Sequence, residues 1–360
     1  MAVPARTPGQ DTFEAARIAR KLEALVDLGF ERSFAPPVQT QTVRCDARTA
    51  RVTCTRPAMG TLVTVTAVGP SEQRLADAIG RAFEEMDRLV GLLSRHQGDT
   101  PVSHLNRTGR LDGPPPEVAL VVGQALEFHR LTGGVFDPTV APLVLLHEAC
   151  AAAPSPALPS DAEIREALAL VGAAHLTQAR RRIAFARPGM VLTLDGIAKG
   201  FIVDELARAL ERGGVKRYLV DAGGDIRARG TKEGGAAWTV AVQDPERTGR
   251  YPDVIEVAGG AVATSGSYER AYDPDQTRFH VFDTRTGRSP AFSVSASVVA
   301  PTATAADALA TSLLLMDPRA AVAFVDALRG CACLIIDRDG LALRSRSWRS
   351  AVPSEGGEVT

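Results

Sequence analysis

The stretch that decides the fold is APTATAADALATSLLLM, residues 300–316, which predicts a loop that turns into a buried helix. Pro301 and Thr302 interrupt regular structure at its start, and good helix formers follow them. Within the helix, apolar residues recur at helical spacing at Leu309, Leu313 and Met316.

Asp307 and Thr311 are four residues apart in this apolar stretch, so a helix places them on one face. A carboxylate in apolar surroundings is costly unless a cation or a donor lies beside it. Two oxygen atoms on one face suit a hard cation such as Mg²⁺, which takes few protein ligands and keeps others for water and phosphate. The alternative is structural: Asp307 begins or caps the helix, and Thr311 bonds back to its own backbone. These residues alone favour the structural alternative.

The composition is that of a soluble globular protein with balanced charge. The 360 residues can build a large core, as one big domain or two ordinary ones. A net charge of −1 gives no field that attracts nucleic acid or an acidic membrane surface. Apolar residues make up 45% of the chain, yet no apolar run approaches the ~20 residues that a membrane helix needs.

The cysteines and the N-terminus predict a cytoplasmic protein without a membrane anchor. Five cysteines at irregular spacing give no disulfide framework. Cys331 and Cys333 share one face of a predicted strand, where buried packing is favoured over a zinc site. The first residues lack the pattern of a secretory signal, and no cysteine follows an apolar stretch as in a lipoprotein.

Three segments are expected along the chain. Residues 1–51 form an appendage, with an amphipathic helix over residues 12–28 and a Pro-rich linker over residues 31–44. The folded domain starts near Val52 and covers residues 52–350. Residues 351–360 form a flexible tail.

The domain opens with a strand over residues 61–67, in which valine and alanine alternate with threonine. Met59, Gly60 and Thr61 stand at its entrance, where a glycine lets another group approach the backbone closely. Ordinary turn chemistry explains this glycine equally well.

Two helices follow, over residues 71–94 and 116–132, with His96 and His104 in the polar loop between them. A loop histidine is free to meet a ligand, although most surface histidines have no such role. After the second helix, two glycines precede Phe136 and Asp137, where they either frame a flat ring or simply end the helix.

The run from Met190 to Asp195 is expected to be a strand, followed by a long helix after Gly196. Gly196 and Gly200 flank Lys199 at the start of that helix. Backbone N–H groups at a helix start favour phosphate, and a lysine adds a point charge. The spacing of a Walker A motif is absent.

The remaining segments read mostly as antiparallel strands. The residues Gly223-Gly224-Asp225 predict a hairpin turn with a carboxylate at its end. His280 stands in a short strand and Asp283 just after it, so His280 is a candidate base or a hydrogen-bonding residue of the sheet rim. Together the elements predict an α+β fold, with helices covering one face of a largely antiparallel sheet.

Seven motifs occur in an order that resembles the ApbE family, the FAD:protein FMN transferases. They run from about Met59 to Asp337: MGT, TGGVFDPTVAPLV, DGIAKGFIVDEL, VDAGGDI, TSGSYER, HVFDTRTGRSP and APTATAADALATSLL. The resemblance implies a single catalytic domain of the ApbE-like, T-fold-like type.

The resemblance also implies an activity and its site. Family members cleave the FAD diphosphate and transfer FMN to a Thr or Ser of an acceptor protein, releasing AMP, with Mg²⁺ required. By similarity the metal is held by Asp307, Thr311 and the backbone carbonyl of Gly196, which reverses the preference drawn from the residues alone. The FAD contacts carry over onto Met59, His96, Val135, Phe136, Asp137, Thr193, Lys199 and Val281.

His280 matches the family's histidine at the reaction centre, where it would deprotonate the acceptor hydroxyl, a weak nucleophile by itself. Mg²⁺ and Lys199 would stabilise charge on the phosphates as AMP leaves. The alternatives are an Mg²⁺-dependent FAD pyrophosphatase that uses water as acceptor, and a non-catalytic FAD-binding protein.

The sequence departs from the family pattern at three points. His96 stands where the family usually has an aromatic residue. The run before Gly196 reads Thr193-Leu194-Asp195, so that the carboxylate usually found at position 193 lies two places later. In a strand this shift keeps it on the same face, so that either Asp195 takes over the contact of Thr193 or FAD binds differently. Many members are exported lipoproteins, whereas the acceptor expected here is cytosolic or the cytosolic face of a membrane protein.

Overall fold

The computed structural model describes residues 38–153, 158–245, 251–269, 271–272 and 278–351. Its centre is a nine-stranded sheet in which every neighbouring pair is antiparallel. The strands, in spatial order, are β1 (Gln39–Asp46), β2 (Thr49–Ala58), β3 (Thr61–Gly69), β7 (Tyr218–Ala222), β8 (Asp225–Arg229), β11 (Gly259–Gly266), β12 (Ser293–Ala300), β13 (Ala332–Asp337) and β14 (Ala342–Arg344).

Two smaller sheets accompany it. One contains β4 (Arg110–Asp112), β6 (Arg182–Phe185) and β5 (Leu176–Ala179), and the other pairs β9 (Trp238–Ala241) with β10 (Val254–Val257). The described helices are α1 (Glu72–Leu93), α2 (Pro101–Thr108), α3 (Pro116–Leu131), α4 (Ala141–Ala152), α5 (Asp161–Leu168), α6 (Ala198–Arg212), α7 (Ala303–Leu314) and α8 (Pro318–Asp326). None of the helices in the described residues is long and apolar enough to cross a membrane.

Helices cover one face of the main sheet. Helix α1 begins at Ser71, whose hydroxyl accepts the N–H of Arg74, and buries an apolar stripe that includes Ile79 and Met86. This stripe joins residues of α6, α7 and the sheet in the largest apolar core. Buried residues alternate with partly buried ones along much of β2 and β3, so that every second side chain faces that core.

The opposite face is covered by the β9–β10 ribbon and by Trp348. Asp253, which is 4% exposed, holds the C-terminal segment there. Its carboxylate accepts the indole N–H of Trp348 at 3.0 Å and the Nε–H of Arg344 at 3.1 Å, and it also accepts the Ser350 hydroxyl. These donors lower the pKa of Asp253 against the opposing effect of burial.

The start of α6 and the start of α7 cap each other. Asp307 on α7 accepts the N–H of Gly200 on α6 at 2.9 Å. In return, Asp204 on α6 accepts the N–H groups of Ala303 and Thr304 on α7, each at 2.9 Å. The first N–H groups of a helix have no acceptor within it and carry partial positive charge, so both carboxylates stabilise the helix pair.

Gly200 allows this close approach. A Cβ atom there would lie 2.3 Å from the carbonyl oxygen of Ala303 and 2.8 Å from the Cβ of Asp307. Both atoms belong to the rigid start of α7, so a side chain at position 200 would push the two helices apart.

The structure confirms the predicted α+β class, the antiparallel sheet and the helix within residues 300–316. The predicted hairpin at Gly223-Gly224 joins β7 to β8, with Ala222 paired to Asp225. Cys331 and Cys333 are both buried.

Other expectations differ from the structure. Residues 190–194 are not a strand, because Asn106 and Pro138 satisfy their backbone at Leu192 and Thr193. His104 lies within α2 rather than in a loop. The segment around His280 forms isolated bridges rather than a strand.

The sheet also begins before Val52, because β1 pairs with β2 from Gln39 onward. The helix expected over residues 12–28 lies outside the described residues, as does most of the C-terminal tail. The cytoplasmic location stays a prediction.

Gly200→Ala is expected to destabilise the protein by about 3 kcal/mol, because the added methyl group overlaps the start of α7. Urea unfolding measures the change. Gly80→Ala within α1 is the matched control, since a Cβ there meets no atom within 4 Å. It should stabilise the protein by about 0.5–1 kcal/mol. Equal effects of the two substitutions would contradict the close packing of α6 on α7.

Candidate active site

Two hairpin turns meet beside the predicted site. The β2–β3 turn consists of Met59 and Gly60, both with positive φ, at 52° and 71°. Gly223, in the β7–β8 turn, packs against Thr61 so closely that a Cβ there would lie 2.2 Å from the Thr61 hydroxyl oxygen. The close approach expected at Gly60 therefore occurs at Gly223, because Gly60 itself has no atom within 4 Å of its Cβ position.

Met59 adopts an unusual backbone conformation for a residue with a side chain. A positive φ costs a non-glycine residue energy, and such strain is concentrated at functional sites. The Met59 side chain is partly buried against the main core. This combination is compatible with its predicted role as an FAD contact.

The loop after α3 and the loop before α6 are bound together. The N–H of Thr193 donates to the carbonyl of Pro138 at 2.8 Å. Phe136 is buried, and its ring edge lies 3.3 Å from where a Cβ on Gly196 would be. The predicted FAD residues Phe136 and Thr193 thus lie beside the start of α6.

The Asp137 side chain is held by hydrogen bonds within the protein. Its carboxylate accepts the backbone N–H of Thr139 at 2.8 Å, the Thr139 hydroxyl at 2.5 Å and the N–H of Ala173 at 3.0 Å. The side chain therefore fixes the shape of this loop, together with the neighbouring Val135, whose side chain packs on the core.

The three predicted metal-binding residues converge. Thr311 Oγ1 lies 3.3 Å from the Cβ position of Gly196, and Ser265 at the end of β11 lies 3.4 Å from the same hydroxyl. Asp307, one helical turn earlier, lies next to Gly200. A carboxylate, a hydroxyl and a carbonyl from two helix starts form an oxygen donor set that suits Mg²⁺.

Asp307 does not cap its own helix, since the Thr302 hydroxyl does so by accepting the N–H of Ala305. It caps α6 through Oδ2. Within the described residues, no group of three or more His, Cys, Asp or Glu side chains forms a metal site. A cation here would therefore depend on hydroxyl and carbonyl oxygens as well as on one acid.

Several carboxyl groups, among them those of Asp225, Glu269 and Asp307, act on the charge of Lys199. Its ammonium lies 3.6 Å from Asp225 Oδ2, in a buried carboxyl group that faces Asp307. Burial raises the pKa of Asp307 to about 6, against the opposing effects of Lys199 and the Gly200 N–H. Burial and the charge of Asp307 raise the pKa of Asp225 as well.

The same charges act on Lys199 in the opposite direction. Burial by itself would lower the pKa of Lys199, but Asp225, Glu269 and Asp307 raise it above its usual range. The ammonium is therefore charged at neutral pH, and its partners are buried carboxyl groups whose ionisation is opposed by burial. A further cation would fit the residues present.

Three residues at the edge of the predicted site interact with one another: His96, Arg95 and Asp195. We call them the rim. Arg95 is buried, and its Nε donates to Asp195 Oδ2 at 2.8 Å while Nη2 lies 3.7 Å from Glu148. His96 is half-exposed, 3.8 Å from Asp195 Oδ2. Burial opposes ionisation of Asp195, but His96 and Arg95 hold its pKa below the usual range.

Thr193 and Asp195 are not equivalent positions of one strand face. The N–H of Asp195 donates to the Thr193 hydroxyl at 3.1 Å, which makes a tight turn. The Asp195 carboxylate binds Arg95, on the rim, whereas Thr193 lies in the loop beside Pro138. The strand face expected to carry both Thr193 and Asp195 is therefore absent, and the contact of Asp195 with FAD stays a prediction.

His280 and Val281 lie in a segment fixed by Ser289. The Ser289 hydroxyl accepts the N–H of Phe279 at 3.0 Å and donates to the Phe279 carbonyl at 2.8 Å. Val281 is buried, and His280 is partly exposed between it and the buried Phe279. Its role at the reaction centre stays a prediction.

Residues missed from the sequence complete the site. Asp204, Arg95 and Ser265 lie in or beside segments with sequence motifs, but their partners Ala303, Asp195 and Thr311 are distant along the chain, so no local pattern marks these contacts. The hairpin pattern predicts the position of Asp225 but not its place in the site. The carboxylate directly after a Gly-Gly turn is the sequence signal that could have indicated it.

The match to known proteins decides the family. A sequence model of the ApbE family matches residues 59–335, which contain each residue of the site. The chain belongs to the ApbE family. It is 32% identical over 301 residues to the FAD:protein FMN transferase of Salmonella typhimurium, covering 81% of this chain and 85% of that protein. The FAD:protein FMN transferase of Vibrio cholerae is 30% identical over 305 residues, covering 82% and 90%.

Solved structures of ApbE proteins share the fold. The flavin transferase ApbE from Vibrio cholerae superposes with a TM-score of 0.72 at 28% identity, covering 86% of this chain and 98% of that one. The ApbE protein from Thermotoga maritima gives a TM-score of 0.75 at 29% identity, covering 86% and 97%. The antiparallel sheet with its helical layer is therefore the ApbE fold.

Arg95→Met is expected to destabilise the protein by about 1.5–3 kcal/mol, because it removes a buried guanidinium that donates a hydrogen bond to the Asp195 carboxylate. Arg88 is the matched control. It also joins two acids, Glu85 and Glu117, but its side chain is 46% exposed against 6% for Arg95.

Arg88→Met should cost less than about 1 kcal/mol, because solvent screens exposed ion pairs. Urea denaturation compares the two variants. Adding Asp195→Asn to Arg95→Met should restore part of the loss. A cost for Arg95→Met no larger than that for Arg88→Met would refute the buried role of Arg95.

Proposed function

We propose that the protein transfers FMN from FAD to a Thr or Ser hydroxyl of an acceptor protein, releases AMP and requires Mg²⁺. The observation that carries the proposal is the convergence of Asp307, Thr311, Gly196 and Lys199 at the start of α6 in a chain of the ApbE family. The FAD:protein FMN transferases to which the chain is similar support the same activity.

The start of α6 would bind the FAD diphosphate. Its first N–H groups and the Lys199 ammonium are positive, and both suit a phosphate anion. Asp307, Thr311 and the Gly196 carbonyl would hold Mg²⁺, which when bound neutralises charge on the phosphates. A cation bound here would favour the ionised forms of Asp225 and Asp307, whose ionisation is opposed by burial.

The rest of FAD would be held around this centre. The residues proposed for it are Met59, His96, Val135, Phe136, Asp137, Thr193, Lys199 and Val281. Phe136 supplies an aromatic edge beside Gly196, and the strained Met59 turn stands beside the β7–β8 hairpin. Because the Asp137 carboxylate is engaged by Thr139 and Ala173, it would shape the pocket rather than bind FAD through its charge.

In the transfer step, the acceptor oxygen attacks the phosphorus of the FMN half of FAD. His280 would take the hydroxyl proton, so that the oxygen becomes a stronger nucleophile. The new bond is a phosphoester between FMN and the acceptor, and the bond that breaks joins this phosphorus to the oxygen of the AMP phosphate. Lys199 would stabilise the charge that accumulates on the leaving AMP.

The deciding test incubates the protein with FAD and Mg²⁺, with and without a peptide that carries a Thr acceptor. Mass spectrometry should find FMN bound to the peptide, in an amount equal to the AMP released. Free FMN formed equally fast in both incubations would identify a pyrophosphatase instead. Tight FAD binding without turnover would identify a binding protein.

Asp307→Asn and Thr311→Val are each expected to lower AMP release from FAD by at least about 100-fold, since each removes an oxygen ligand of the cation. Chromatographic measurement of AMP at varied Mg²⁺ concentration gives the result.

The control is Asp253→Asn, which removes an equally buried carboxylate on the opposite face of the sheet. This control should lose stability but keep its Mg²⁺ dependence. If Asp307→Asn turned over FAD at the wild-type rate, the metal assignment would be wrong.

A further inference from the structure

Asp225 is the least explained acid of the site. It is the first residue of β8, directly after the Gly223-Gly224 turn, and it is 2% exposed. Within the described residues, Oδ2 accepts no hydrogen bond, and its ion-pair partner is the Lys199 ammonium at 3.6 Å. Burying a carboxylate so completely costs free energy, so we expect this side chain to have a functional or structural role.

The hairpin holds Asp225 firmly. Ala222 pairs with Asp225 across the two-residue turn, and the N–H of Gly224 donates to Asp221 Oδ1 at 3.0 Å. Gly223 is fixed against Thr61. Asp225 is thus a rigidly placed carboxyl group, with Oδ2 3.6 Å from the Lys199 ammonium of α6.

Lys199, by contrast, has a long flexible stem and several carboxylates within reach of its charge. Asp225, Glu269 and Asp307 all act on it. Lysine is rare in this chain, which otherwise uses arginine for its positive charges: the lysines are Lys21, Lys199, Lys216 and Lys232. A lysine ammonium is a compact point charge that moves readily among acceptors, so its position depends on which acid holds it.

We propose that Asp225 is a positioning residue, which holds the Lys199 ammonium in one place at the start of α6, where it meets the FAD diphosphate. Without this anchor the ammonium would be shared between Glu269 and Asp307, other acids that act on it. The inference rests on the proposed function for the identity of the phosphate ligand. The pairing itself is a property of the protein alone.

The first test needs neither FAD nor metal. Lysines are labelled with acetic anhydride, and peptide mass spectrometry gives the rate at each position. Lys199 should react more slowly than the exposed Lys216 in the wild type. Asp225→Asn should speed labelling of Lys199 at least about fivefold and leave Lys216 unchanged. An unchanged rate at Lys199 would overturn the proposal.

The second test is a double-mutant cycle on FAD affinity, measured by FAD fluorescence without Mg²⁺. Lys199→Met should weaken FAD binding about tenfold in the wild type and less than about twofold in Asp225→Asn, because the unanchored lysine no longer contributes. An equal cost of Lys199→Met in both backgrounds would overturn the proposal. A merely structural role of Asp225 would lower stability without this coupling.

Two further variants complete the design. Asp253→Asn, an equally buried acid remote from Lys199, should leave the Lys199→Met effect at its wild-type size. If Asp225→Asn fails to fold, Asp225→Glu replaces it, since it keeps the charge but displaces it by one methylene. The proposal then expects a reduced Lys199→Met effect, and an undiminished effect overturns it.

The outcomes separate this inference from the proposed function. Coupling between Asp225 and Lys199 without FMN transfer to any acceptor would support the positioning role and refute the transferase. FMN transfer without coupling between Asp225 and Lys199 would support the transferase and refute the positioning role. A wild type that binds no FAD would overturn the proposed function and the role of Asp225 in FAD binding. The pairing of Asp225 with Lys199 would then be judged by the labelling experiment alone.

Discussion

The mutual capping of α6 and α7 is the interaction on which the site depends. Each helix starts with N–H groups that have no acceptor of their own, and each receives a carboxylate from the second turn of the other. The exchange requires the two helix starts to lie very close, which Gly200 permits. Because the two helices lie so close, Gly196 before α6 also meets Thr311 on α7, and the positive start of α6 lies beside both Asp307 and Thr311.

This arrangement resolves the two interpretations of Asp307. A helix cap and a metal ligand are usually alternatives, since a carboxylate engaged with backbone is considered occupied. Asp307 uses Oδ2 to cap a different helix from its own. Its carboxyl group also lies among Lys199, Asp225 and Glu269, which all act on its charge or share its partners. The structural role therefore positions the residue for the role proposed with Mg²⁺.

Elements with strong local patterns could be predicted from the sequence. The helix at residues 300–316 and the Gly-Gly hairpin follow from periodicity and turn chemistry alone. Residues 190–194 look like a strand, but Asn106 and Pro138 satisfy their backbone, and no local pattern reveals such a distant partner. For the same reason the sequence did not reveal the pairs Lys199–Asp225 and Arg95–Asp195, which join residues far apart along the chain.

Asp307 has both a structural role and a proposed role in metal binding, and this affects how enzymatic activity can be inferred for related proteins. A related protein that has lost its enzymatic activity would still need an acid at position 307 to hold α6 against α7. Selection for folding alone therefore preserves Asp307. Its presence in an ApbE homologue is therefore weak support for an active enzyme. Thr311 is more informative, because its described hydrogen bond, to Ser265 at 3.4 Å, is long and contributes little to folding. An inactive lineage would be free to lose that hydroxyl first.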